Sequence, residues 1–120
     1  MRPSWRKAFW WVATLLWAAG IYMASSQETV PDRLDWLDLP FGDKLAHGGV
    51  FAVLAMLATR ASDRWLFALI AASLYGISDE LHQRAVPGRT ADLFDWLADT
   101  LGAALGASLV GFLTRRHRSQ

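Results

Sequence analysis

A chain of 120 residues supports one domain, and 53% hydrophobic residues with seven tryptophans is high for a small soluble protein. The formal net charge of +1, with arginines at termini and turns instead of along a stripe, offers no basic face and excludes nucleic acid as a partner. With no cysteine there is neither a disulfide framework nor a thiolate metal site.

Between Lys7 and Glu28 lie 20 uncharged residues rich in Trp, Leu and Ala. At about 1.5 Å per residue a helix of that length crosses a hydrocarbon core of roughly 30 Å, so 8–25 is predicted as a membrane helix. The alternative is a cleaved leader, given basic Arg2, Arg6 and Lys7 ahead of it and small Ala24 to Ser26 behind. Against a leader stand the length of the apolar run and the presence of Trp10, Trp11 and Trp17 within it. Segment 26–42 contains Pro31, Pro40 and Gly42 and reads as a loop. Thr29 with Asp32 fits a capping box, and Leu34, Trp36, Leu37 and Leu39 fit a short interfacial helix; a solvated loop is the equal alternative.

Three further helices are predicted over 43–60, 64–84 and 92–114. Their apolar runs, Gly48 to Thr59, Trp65 to Ser78 and Thr100 to Thr114, cover only about 18 to 23 Å as helix, short of a membrane. Core helices of a soluble bundle would need polar outer faces, yet Leu66 to Leu74 and Leu101 to Leu113 are apolar or small all round. The helices therefore continue into their polar flanks and draw His47, Asp79, Glu80, Asp95 and Asp99 to or below the lipid boundary. Ala61 to Asp63 is a tight turn, and Pro87 with Gly88 breaks the chain after the third helix. Thr90 or Asp92 is available to cap the fourth.

Charge placement orients this all-α, polytopic bundle of four transmembrane helices. Arg2, Arg6, Lys7, Arg60, Arg64, Arg115, Arg116 and Arg118 fall on one side, together with Asp63 alone among the eleven acids. By the positive-inside rule that side is the cytoplasm and holds both termini, the expectation for a protein of the bacterial inner membrane. Trp5, Trp10, Trp11 and Trp65 near the inner ends, with Tyr22, Trp36 and Trp96 near the outer ends, suit an aromatic belt. The lipid bilayer is thus the first expected partner.

Asp79, Glu80 and Gln83 share one helical sector, as do Asp92, Asp95 and Asp99. Farther along the same helices the stripes turn small: Ala68, Ala72 and Gly76 on the third, and Ala98, Gly102 and Gly106 on the fourth. Small residues at this spacing let backbones approach closely in lipid, so Gly76, Gly102 and Gly106 are predicted to pack the third helix against the fourth. Lys44 and His47 open the second helix from the same side, and Arg89 lies in the turn between the acids. The expected site is one outward-open polar pocket, with Asp79, Glu80, Asp95 and Asp99 opposed by Lys44, His47 and Arg89. Asp92, Arg84 and His82 read better as headgroup-level residues. Ser78 lacks a surrounding G-x-S-x-G; His47, Glu80 and His82 are chemically suitable for a metal but lack H-E-x-x-H spacing, so neither a metal nor another cofactor is assigned.

The stretches "DKLAHGGVFAVLA" from Asp43 and "GISDELHQRAVPGRTADLFDWLADTLGAALGA" from Gly76 resemble the VanZ-like family of small bacterial membrane proteins. The likeness covers Asp43 to Ala107 and three spaced motifs: D-K-x-x-H, D-E-x-x-Q followed by P-G-R, and D-x-x-x-[ND]-x-x-G-x-x-x-G. It places Asp43, Lys44, His47, Asp79, Glu80, Gln83, Arg89, Asp95, Asp99, Gly102 and Gly106 on family positions. Family members more often have Asn at position 99 and Tyr at position 51, where this chain has Asp99 and Phe51. The resemblance implies a single VanZ-like membrane domain over 1–120 and, through the founding member, a link to teicoplanin susceptibility; it implies no defined reaction.

Three functions fit these residues. An envelope enzyme or modifier would use Lys44, Arg89, Gln83 and Asp99 to bind a lipid-linked envelope precursor. Glu80 would then be the general acid or base, with His47 assisting proton transfer and Asp79 and Asp95 completing the catalytic set. A non-catalytic accessory protein would use the same cluster only to orient its helices and would recruit an envelope partner through the loop Glu28 to Gly42. A proton-coupled carrier would need the buried acids and, with four helices, a homo-oligomer.

Overall fold

The computed structural model describes residues 3–26, 42–87 and 93–118. The segment 27–41 with Trp36, and Arg89, Thr90 and Asp92, lie outside them, as do the side chains of 42, 43 and 118. The described residues form four helices: α1 Ser4–Ser25, α2 Gly42–Ser62, α3 Trp65–Arg84 and α4 Leu93–Arg118. No strand occurs among them. Against the predicted ranges, α1 starts four residues earlier and α4 ends four residues later, at Arg118. α1, Lys44–Ser62 of α2 and Leu93–His117 of α4 are each long and apolar enough to cross a membrane. α3 has 20 residues but carries Asp79 and Glu80 in its last turns, and it is not among the three.

The distribution of side-chain size fits lipid better than water. Large apolar residues point outward along whole faces, among them Leu66, Ile70 and Leu74 on α3 and Leu101, Leu105 and Leu109 on α4. The interior is instead dominated by small residues: Ala55, Ala58, Ala61, Ala68, Ala72, Ala103 and Ala107 are all buried, around Phe51, Leu54 and Ile21. In a bilayer the outer face gains nothing by being polar, and close backbone packing through small residues is what holds helices together. Hydroxyls inside the helices turn back to their own backbone. Thr14, Thr59, Ser62 and Thr114 each donate to the carbonyl four residues earlier, at 2.7, 2.7, 2.8 and 2.5 Å, which satisfies them without water.

The closest helix pair is α2 with α4. A Cβ added to Gly102 would meet the Gly48 carbonyl oxygen and lie 2.6 and 2.7 Å from the Gly48 carbonyl carbon and Cα. One turn on, a Cβ at Gly106 would meet the Ala52 carbonyl oxygen and stand 2.9 Å from its carbon. Gly102 and Gly106 therefore pack against α2, not against α3 as predicted from their spacing. Gly76 does face α4, where a Cβ would lie 3.2 Å from Trp96 Cδ1 and 3.3 Å from Asp99 Oδ2.

Hydrogen bonds fix the other helices. Trp17 Nε1 donates to the Val50 carbonyl at 2.9 Å, and the Tyr75 hydroxyl donates to the Ala18 carbonyl at 2.5 Å, tying α1 to α2 and to α3. Trp96 Nε1 donates to the Ser73 carbonyl at 3.1 Å, and Ser73 and Thr100 hydroxyls pair at 2.9 Å between α3 and α4. The α2–α3 turn is tighter than expected, because α2 runs on to Ser62 and only Asp63 and Arg64 remain. Asp63 adopts φ 61°, a left-handed conformation that Asp tolerates better than most residues, and its N–H caps Thr59 O at 2.8 Å. At this end Arg60 stacks over Trp10, with its guanidinium carbon 4.9 Å from the ring centroid.

Candidate functional site

The end of α1, the start of α2, the end of α3 and the start of α4 meet at the opposite end of the bundle. Their polar residues turn inward there because the outward faces are committed to apolar side chains. Asp79, Glu80, Gln83, Asp95 and Asp99 are all buried, Asp99 with no exposed surface and Glu80 with 9%. Four carboxylates in one helical interior require partners, since an isolated buried charge is costly.

Two partners come from α2. Lys44 Nζ binds Asp95 Oδ1 at 2.6 Å, a charge-assisted hydrogen bond in which the ammonium donates. One turn deeper, His47 Nδ1 lies 3.0 Å from Asp99 Oδ1, and its Nε2 is 3.9 Å from Asp95 Oδ2. The i, i+3 spacing of Lys44 and His47 thus meets the i, i+4 spacing of Asp95 and Asp99 across the glycine seam. Glu80 enters from α3: one carboxylate oxygen of Glu80, one of Asp99 and one ring nitrogen of His47 all lie within 4.8 Å of one another. A carboxylate pair and an imidazole so placed could move a proton or hold a cation.

Asp79 faces a different neighbour. Ser25 Oγ of α1 donates to Asp79 Oδ1, so this acid is held from α1, whereas the expectation from sequence opposed it to Lys44, His47 and Arg89. Beside it the Ser26 hydroxyl donates to the Tyr22 carbonyl at 2.8 Å and lies 2.9 Å from His82 Nε2. A hydroxyl has one proton to give, so Ser26 accepts from Nε2 whenever it donates to Tyr22, and the His82 tautomer decides which way the contact runs. The Tyr22 ring stacks on the same imidazole at 4.4 Å between centroids. His82 is therefore engaged with α1, more than the headgroup-level role expected of it. Gln83 is fully enclosed on α3, and Arg84 is exposed.

Arg89, expected to hold a substrate headgroup together with Lys44, lies outside the described residues, as does Asp92. Ser25, Ser26 and Tyr22 were not singled out as site residues by sequence reasoning. The signal that could have found them was there, since hydroxyls end an otherwise apolar helix at the level where the acids of α3 must lie. Trp96, placed in an aromatic belt by sequence, instead spends its N–H on the α3 backbone. Phe51 is buried, with its ring centroid 6.2 Å from that of Tyr75, whose hydroxyl turns away to α1.

Comparison with curated proteins and with solved structures gives no match. The family model described as VanZ/LLP1 matches residues 9–114, a span holding all four helix bodies and every residue of the polar cluster; the chain belongs to this VanZ-like family.

Proposed function

We propose that this VanZ-like membrane protein uses the polar end of its bundle to bind, and to act on, the anionic headgroup of a lipid-linked envelope precursor. The observation that carries this reading is the burial of Glu80, Asp95 and Asp99 against Lys44 and His47 within helices whose outer surfaces are apolar. Ionisable side chains at such depth are costly and mark functional sites in membrane proteins. On this reading Lys44 and Arg89 hold the headgroup, with Gln83 and Asp99 lining it. Glu80 is the general acid or base, and His47 passes the proton on, with Asp95 and Asp79 as the flanking carboxylates. All four helices cross the bacterial inner membrane as one domain. Both termini are cytoplasmic by the excess of arginine at that end, which turns the site outward.

The test is a pair of variants, Glu80→Gln and Arg89→Ala, that insert and accumulate like the wild type. On the catalytic reading each changes the susceptibility of the host to envelope-directed antibiotics, teicoplanin first; unchanged susceptibility in both removes it. A second reading, a non-catalytic accessory protein, is favoured by a specific observation: Lys44–Asp95, His47–Asp99 and Ser25–Asp79 each join two helices. On that reading the cluster is an orienting clamp, and its variants lower stability without altering any lipid.

A further inference from the structure

Glu80 and Asp99 approach one another in a water-poor interior, with an imidazole beside them. Asp99 Oδ1 has His47 for company, but Asp99 Oδ2 is buried with no hydrogen-bond partner among the described residues. That oxygen faces α3 at Gly76, where even a Cβ would come within 3.3 Å of it, one helical turn before Glu80. A fully enclosed carboxylate oxygen without a donor, on the side of the helix that supplies a second carboxylate, is a buried polar group that calls for an electron-pair acceptor.

We infer that His47, Glu80 and Asp99 form a binding site for a divalent transition-metal ion of the zinc or manganese type. One ring nitrogen and two carboxylate oxygens within 4.8 Å of one another are a donor set that suits such ions, and three protein ligands leave a position open for a further oxygen. The 3.0 Å between His47 Nδ1 and Asp99 Oδ1 serves a hydrogen bond; on bonds of about 2.1 Å two ligands stand about 3.0 Å apart in an octahedral site and about 3.4 Å apart in a tetrahedral zinc site, so the pair needs to part by only a few tenths of an ångström at most. With Nδ1 toward the ion, the proton sits on Nε2, which lies 3.9 Å from Asp95 Oδ2, while Lys44 holds Asp95 Oδ1. Asp95 is then a positioning residue acting through its charge beside the outer nitrogen, the place carboxylates commonly take behind metal-bound histidines. The ion would offset the charge of Glu80 and Asp99, and its open position would accept an anionic oxygen. With the ion bound, Glu80 and His47 act as its ligands in place of their acid–base roles, and the assignment rests on the headgroup reading only for the anionic oxygen the ion would take, not for whether it binds.

The test uses the full chain purified in detergent, without a histidine tag, stripped with chelator and titrated with Zn²⁺ or Mn²⁺ alone. One ion per chain is expected, with affinity lowered at least about tenfold by Glu80→Gln and by Asp99→Asn, and about 10- to 100-fold by Asp95→Asn. His82→Asn, which touches only the α1 contacts, leaves binding unchanged. Absence of saturable binding of both ions to the wild-type chain overturns the assignment. So does a Glu80→Gln protein that binds as the wild type does, or loss of binding in His82→Asn. Should Asp99→Asn fail to fold, the wild-type and Glu80→Gln titrations still decide. No lipid is present, so failure here leaves the headgroup reading to its antibiotic test, and silence in that test leaves the titration standing.

Discussion

The same two helices, α2 and α4, are joined in two different ways within a few residues. Along the seam, Gly48 meets Gly102 and Ala52 meets Gly106, and the backbones touch because there is nothing between them. At the polar end, Lys44 meets Asp95 and His47 meets Asp99, and the interval is filled by charged side chains. His47 and Gly48 are neighbours in sequence, so the tight contact sets the reach of the ionic one. In lipid the seam gains from close packing, whereas the ionic end mainly offsets a desolvation cost that its own residues create.

That contrast can be broken from either side. The largest effect is expected from His47→Ala, which leaves Asp99 enclosed without its partner and should cost about 3–5 kcal/mol of stability, read as a lower midpoint of denaturant unfolding in micelles. Gly102→Ala should come next at up to about 3 kcal/mol, since its methyl meets the Gly48 backbone instead of a side chain that can swing aside. Thermal unfolding followed by circular dichroism would check it, and an unchanged transition would show that α2 and α4 are less closely packed. Ser25→Ala removes the hydroxyl that binds Asp79 and is expected to cost about 1.5 kcal/mol, detectable as earlier proteolysis of α1. At the small end, Gly49→Ala should stabilise by about 0.5–1 kcal/mol. No atom lies within 4 Å of the added Cβ, and a helix favours alanine over glycine, so a matched unfolding curve against Gly102→Ala isolates packing from propensity.

The all-α membrane fold was legible because run length and the missing polar faces of 66–74 and 101–113 leave few other solutions. Faces were legible too: the spacing of Lys44 with His47 and of Asp95 with Asp99 puts each pair on one side of its helix. Periodicity says which residues share a face but not which helix lies opposite, and here the glycine stripe of α4 found α2 instead of α3. The G-G-x-x-A run at Gly48, Gly49 and Ala52 is the complementary signal on α2, and it was not considered beside the small-residue stripe of α3. Asp79 went to Ser25 for a related reason, since adjacent residues such as Asp79 and Glu80 sit about 100° apart on a helix and can serve different neighbours.

The backbone contact at Gly48 and Gly102 also has a mechanical meaning. It rivets α2 to α4 along a line with no side chains to rotate, so the pair behaves as a single wall carrying Lys44, His47, Asp95 and Asp99. α3 meets that wall through side chains instead, by the buried Ala68 and Ala72 and by the hydrogen bonds of Ser73 to Thr100 and of Trp96 to the Ser73 carbonyl, so the helix that brings Glu80 is the one whose fit against the wall is set by side-chain identity.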